Sequence, residues 1–202
     1  MPAPDLQGII DKKVKELLLA KDRILPVKVG RAVRDSIRQN FRKGGFYGQA
    51  WTTPMRTELG FDGPGYGPLL SGTNNLMMST DYFPSPGRVI IQNSLAYAQI
   101  HNEGGEITVT KRMKSYFWAM YYKRGSVGEM YGKAKGKKNR LKAEAFNQEA
   151  EFWRAMALKK VGDKIKIPKR QFMGNDPEVD KIVTAIIEQE LLKITSNGST
   201  TH

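Results

Sequence analysis

Apolar residues recur along the first forty positions at the spacing of one helix face. Leu6, Ile9, Ile10, Val14, Leu17 and Leu18 stand three and four apart, so they form one stripe of an amphipathic helix, with Lys12, Lys13 and Lys15 largely outside it. Asp5 is placed to cap it. A second helix is predicted to begin near Pro26, a residue tolerated in a first turn, and to run through Val29, Val33, Ile37 and Phe41 at strict four-residue spacing. Gly44 and Gly45 stop it. Both helices read as core-packing elements rather than as membrane-binding or partner helices.

The pattern then changes. Residues 46 to 75 are rich in Gly, Pro and Thr yet aromatic, which predicts an ordered excursion without long elements. Leu76 to Phe83 and Arg88 to Asn93 read as strands joined by the PSPG turn of an antiparallel hairpin, and Ile107 to Thr110 as a further strand. Between them, LAYAQIHNEGG predicts a short helix ended by Gly104 and Gly105. Residues 111 to 122 fit helix or strand by periodicity, with helix preferred. Residues 123 to 140 mix Gly with Lys and bury too little apolar surface to offset chain entropy, which predicts a mobile loop. A helix over about 141 to 160 and a short strand near Lys164 to Ile167 follow. The last helix is capped by Asn175 or Asp176, carries Pro177 in its first turn, and presents Val179, Ile182, Val183, Ile186, Ile187, Leu191 and Leu192 on one face. The expected organisation is an α+β fold, a small antiparallel sheet packed with N-terminal and C-terminal helices. Residues 1–110 and 164–195 make the core domain, 111–163 a basic, aromatic-rich insertion, and 196–202 a disordered tail.

Charge sharpens this division. The 202-residue chain carries 33 Lys and Arg against 20 Asp and Glu, a formal +13. Residues 1–58 hold 12 basic and 6 acidic groups and residues 111–170 hold 18 and 5, whereas 59–110 hold 1 and 4 and 171–202 hold 2 and 5. The basicity is mostly one region, which favours an acidic partner surface or nucleic acid there. Lys133, Lys135, Lys137, Lys138 and Arg140 are the candidate contacts to DNA or to an acidic partner. The aromatic run Phe117 to Tyr122 stacks bases on one reading and fills a core or subunit interface on the other. Base-specific readout has no motif behind it.

Candidate chemistry is sparse. There is no cysteine, and the two histidines, His101 and His202, cannot build a multi-histidine metal site. Nucleophile-elbow, Walker and dinucleotide-binding signatures are missing, and Glu103 and Glu106 lack a recognisable cleft. No stretch of about 18 apolar residues and no secretion-signal order is present, so a soluble chain without membrane contact, cofactor or enzymatic activity is expected.

Three separated segments carry a resemblance. Phe41 followed by Gly44, Gly45, Trp51 and Pro54, then LLSGTNNLMMST and the hairpin, leads to LAYAQIHNEGGEITVT through Tyr97, Ala98, His101, Gly104 and Gly105, and finally to IPKRQFMG at residues 167–174. In this order the segments resemble the phage virion morphogenesis proteins, the Mu-like tail-completion group, in the versions found in Bacteroidetes phages and prophages. The chain departs from the compact version between about 111 and 163. The resemblance implies a non-enzymatic neck or tail-completion protein that joins head and tail, usually as a subunit of a ring, assembled in the host bacterial cytoplasm and located in the virion. Its partners would be further copies of itself and tail, neck or connector proteins, and Tyr97, His101, Gly104, Gly105, Pro168, Arg170, Phe172 and Gly174 would be structural or assembly residues. The planar guanidinium of Arg170 suits a carboxylate or backbone carbonyls, and Phe172 would anchor the last helix. The rival reading is a non-specific DNA-binding protein that uses the Lys-rich segment during packaging or genome retention.

Overall fold

The computed structural model describes residues 6–58, 67–70 and 72–196. Asp5, His202 and the expected tail beyond Ser196 lie outside them. The fold is α+β: among the described residues, long helices with three two-stranded antiparallel sheets. The chain divides into two compact units, Met1–Gln49 with Gly72–Ala98 and Phe172–His202, and Ala50–Ser71 with Gln99–Gln171.

In the first unit, α1 (Leu6–Leu19) and α2 (Leu25–Lys43) are one rod joined by a π-helical segment, Ala20–Ile24, where two separate helices are expected from sequence. The amide of Leu25 reaches the carbonyl of Ala20 five residues back, and the slip of register coincides with Pro26, which has no amide to offer the carbonyl of Asp22. Gly44 ends α2 in the left-handed region, with φ +72°. A tight hairpin of β1 (Gly45–Phe46) and β2 (Gln49–Ala50) follows; the short helix α3 (Met55–Glu58) belongs to the second unit and the short helix α4 (Asn75–Met78) to the first. The strand expected from Leu76 starts instead at Thr80, as β3 (Thr80–Ser85). Leu76 is held in the α4 turn because its carbonyl accepts from the Asn93 amide, at 2.7 Å, and from the Thr80 hydroxyl. β3 pairs with β4 (Arg88–Asn93) through Thr80↔Asn93, Tyr82↔Ile91 and Pro84↔Val89 on one face and Phe83↔Ile90 on the other.

The four-residue spacing in α2 does what the pattern predicts: Val29, Val33, Ile37 and Phe41 are all buried. Gly30 lets the hairpin come close, since a methyl group there would sit 2.3 Å from Cδ2 of Tyr82 and 2.8 Å from Val89. Phe41 is fully enclosed against Phe172, ring centroids 5.1 Å apart. The last helix of the chain (Pro177–Ser196) packs on the rod, where the buried Glu190 pairs with Lys28 and lies 3.7 Å from Lys193. The α1 stripe is another matter. Leu6, Ile9, Ile10, Val14, Leu17 and Leu18 remain 41–67% exposed and α1 buries no residue, which corrects its reading as a core element. It meets the last helix through a flank, where Lys13 donates to the carbonyl of Ile194.

In the second unit, α5 (Ala98–Glu103) leads into β5 (Gly105–Thr108), which pairs antiparallel with β6 (Lys164–Ile167). Between them stands a helical hairpin, α6 (Lys111–Lys133) and α7 (Lys137–Leu158), each arm about 33 Å long at 1.5 Å per residue. Thr110, read from sequence as the end of a strand, caps α6 by accepting from the Met113 amide. The expected loop over 123–140 is therefore corrected: it is helical except for the link 134–136. Two of its glycines, Gly128 and Gly132, face α7. A Cβ on Gly128 would lie 2.1 Å from Oδ1 of Asn147, and one on Gly132 would reach the methyl of Ala143. Opposite them, Ala143, Ala150 and Ala157 are buried at seven-residue spacing, the repeat that keeps one seam facing a partner helix. The strand at 164–167 lies in this unit, while the last helix, α8 (Pro177–Ser196), lies in the other, so the expected 164–195 segment is split.

Two outcomes are expected. Gly30→Ala gains about 1 kcal/mol of helix propensity but overpacks the hairpin contact, for a net loss of about 1–2 kcal/mol and a lower Tm in a thermal scan. A raised Tm would refute the close approach. The Lys28 ammonium, by hydrogen bond and charge, holds the Glu190 carboxyl below its ordinary range despite burial. A depressed carboxyl contributes stability that is present above its unfolded pKa and lost as pH falls through the folded one. The difference in urea stability between wild type and Lys28→Gln is therefore widest at neutral pH and closes in acid, below about pH 4.

Candidate functional site

Parts of three segments that carry the resemblance, at residues 51–52, 101–105 and 167–171, meet in the second unit. Gly104 ends α5 with φ +76°, and a Cβ there would be 2.8 Å from the Lys169 amide nitrogen, 3.1 Å from its Cα and 3.2 Å from the Ile167 carbonyl oxygen, so only glycine lets the two strands of chain touch. Gly105, with φ +146°, pairs with Ile167 as the first step of the β5–β6 ladder. Pro168 follows β6, and two residues on the Arg170 amide donates to the carbonyl of His101 at 2.8 Å. The Arg170 side chain is buried and its Nε donates to the carbonyl of Thr52, also at 2.8 Å. The indole N–H of Trp51 donates to the carbonyl of Gln171 at 2.7 Å. Residues 51–52, 101–105 and 167–171 thus form one knot of main-chain carbonyls and the side chains that satisfy them. Of the two kinds of partner suggested for Arg170, a backbone carbonyl is found.

Tyr97, Phe172 and Gly174 lie outside this knot. Tyr97 is exposed, one residue ahead of α5. Phe172 is fully enclosed in the first unit against Phe41 of α2. Gly174 is exposed with φ +144°, in the link towards α8.

The five basic candidates gather elsewhere, at the end of the helical hairpin. Lys133 is the last residue of α6, Lys135 is in the link, and Lys137, Lys138 and Arg140 open α7; all five are exposed. The arms below them are locked by side-chain contacts. Lys142 sits over the ring of Tyr131 at 4.9 Å, and Tyr131 stacks on Phe146 at 5.8 Å with the rings 2° from parallel. One turn further, the buried Glu149 lies 2.9 Å from Nε of Arg124 and accepts from the Trp153 indole. At the base, Phe117 stacks on Trp153, while Trp118 and Tyr122 stack on each other. Phe117 is thus packed in the seam, whereas Trp118, Tyr121 and Tyr122 contact one another along α6 and Tyr122 is exposed.

Sequence reasoning missed the Arg124–Glu149 pair and the exposed face of α1. The first had a readable signal, an acidic residue directly beside Ala150 in a helix whose Ala143, Ala150 and Ala157 recur every seven residues. Periodicity alone does not say whether a stripe is covered. Among the described residues, no group of three or more His, Cys, Asp or Glu is placed to hold a metal ion, and no helix is long and apolar enough to cross a membrane.

Arg170→Lys leaves the Thr52 carbonyl with a donor of the wrong shape in a buried position, so urea unfolding is expected to register a loss of about 1–3 kcal/mol. Unchanged stability would show that the guanidinium geometry is immaterial. No family model, no curated protein and no solved structure matches this chain.

Proposed function

We propose that the chain is a structural subunit of a phage neck or tail-completion ring, acting by assembly rather than by chemistry. The observation that carries the reading is the α1 stripe. Six aliphatic side chains stand half in water along a 14-residue helix, and a contiguous apolar face of that kind marks a contact surface. The occupant is another copy of the chain. The β3–β4 hairpin covers α2 with one face and leaves Phe83 and Ile90, directly paired, exposed on the other together with Met78 of α4. A helix stripe and the apolar back of a two-stranded sheet are complementary layers, and a two-stranded sheet gains from being covered on both sides. Seating α1 of one copy on the hairpin of the next uses two different surfaces, the heterologous arrangement that closes into rings. The unequal charge of the segments, basic over 111–170 and acidic over 59–110 and 171–202, adds attraction between unlike regions of neighbouring copies. The order of the motif segments, and the meeting of residues 51–52, 101–105 and 167–171 around Arg170, support the phage assignment.

The arrangement makes a prediction that a symmetric pair would not. Val14→Glu on α1 and Phe83→Lys on the hairpin each leave the protein monomeric by mass photometry. A mixture of the two variants retains one intact seam and yields dimers and nothing larger, while wild type forms a closed ring, alone or on its tail partners. A wild-type chain that stays monomeric at every concentration, with its tail partners present, overturns the proposal. Electron microscopy of intact particles then places the ring at the neck or excludes it.

A further inference from the structure

The subunit seam leaves the hairpin tip unused. We propose that the tip of the α6–α7 hairpin is a sequence-independent contact for the phosphate backbone of duplex DNA.

Residues 130–143 carry Lys133, Lys135, Lys137, Lys138, Arg140 and Lys142 and no acidic residue. Among the described residues, the first five have no carboxylate within ion-pair distance, and all are exposed. Their placement works against the fold. The first turn of α7 contains no acid, and Lys137, Lys138 and Arg140 sit at the positive end of the helix dipole, where cations are disfavoured. A bound polyanion removes that penalty and the mutual repulsion of the cluster together.

Three features favour DNA over an acidic protein. From Gly132 to Arg140 the only apolar side chain is Ala134, so the tip has nothing to form the desolvated core of a protein interface. Five of the six cations are lysines, mobile point charges that suit phosphates and lack the planar fork used for base edges. The tip also stays in place, because the Tyr131–Phe146 stack and the Gly128–Asn147 contact fix the two arms just behind it. Duplex is favoured over single strands because the nearest ring, Tyr131, is already occupied on its faces by Phe146 and Lys142 and cannot serve as a stacking platform. Two packed helices present an end about 20 Å across, and the duplex carries a charge every 1.7 Å or so of its axis, so all five free cations can find phosphates.

The test uses the full-length protein and two unrelated 30-base-pair duplexes, by fluorescence anisotropy. Five phosphate contacts give a log–log salt slope near −4.5, about a 500-fold loss of affinity between 50 and 200 mM salt, the same for both sequences. Changing Lys135, Lys137 and Lys138 together to Gln, which keeps side-chain length and helix propensity, should make the slope shallower by about 2.7. Lys12→Gln with Lys15→Gln on α1 should leave it unchanged. Far-UV circular dichroism checks that each variant is folded, and an Ala triplet at the same three positions repeats the measurement. A tip variant with the wild-type slope overturns the proposal. So does poly-glutamate that competes as well as unlabelled duplex at equal charge, which would assign the tip to an acidic protein. Running the titrations in the Val14→Glu background separates this result from the fate of the subunit seam.

Discussion

The bond from the Arg170 amide to the carbonyl of His101 is the constraint on which the second unit depends. It ties together the two ends of everything between those residues: β5, the helical hairpin and β6. Gly104 permits the approach, β5–β6 pairing extends it, and the Arg170 guanidinium and Trp51 indole satisfy the carbonyls that the crossing would otherwise bury unpaired. Once the ends are fixed, the length of what lies between them costs little, because closure entropy grows slowly with loop length. A pair of arms about 33 Å long can be carried on so small a base for that reason.

The hairpin is built by spacing more than by hydrophobicity. Alanine every seven residues on α7 and glycine on α6 draw the two backbones close. Phe117 on Trp153 and Tyr131 on Phe146 then stack across the seam. The buried carboxylate of Glu149 is tolerated because Arg124 lies beside it and the Trp153 indole donates to it. The same glycines explain why composition pointed to a loop. Glycine lowers helix propensity when a helix is considered alone, and its contribution here is made only by the partner helix that fills the space.

What was legible in the sequence follows from this. The strict spacing of Val29, Val33, Ile37 and Phe41, the PSPG turn and the glycine stop after α5 are local signals, and each matches the structure. Lys133 to Arg140 were legible as a cluster of charge, but their position at the end of a stiff stalk depended on tertiary contacts. Leu76 was pulled from strand into a helical turn by Asn93 and Thr80, two residues that come later in the chain. The stripe on α1 was legible as a stripe and misread as a core, since a period of 3.6 shows which residues share a face and not whether that face is covered within the chain.

The π turn between α1 and α2 gives that stripe its direction. A π turn takes up one residue more than an α turn, and one residue is about 100° of rotation around the axis. In an uninterrupted α-helix the line through Val14 and Leu18 would be swung by that angle away from the line through Val29, Val33, Ile37 and Phe41. The slip at Ala20–Ile24 brings the two lines towards the same side of the rod. The result is a single apolar flank, enclosed along α2 and open along α1, so a neighbouring sheet settling on the open half would continue the layer that the hairpin has already begun.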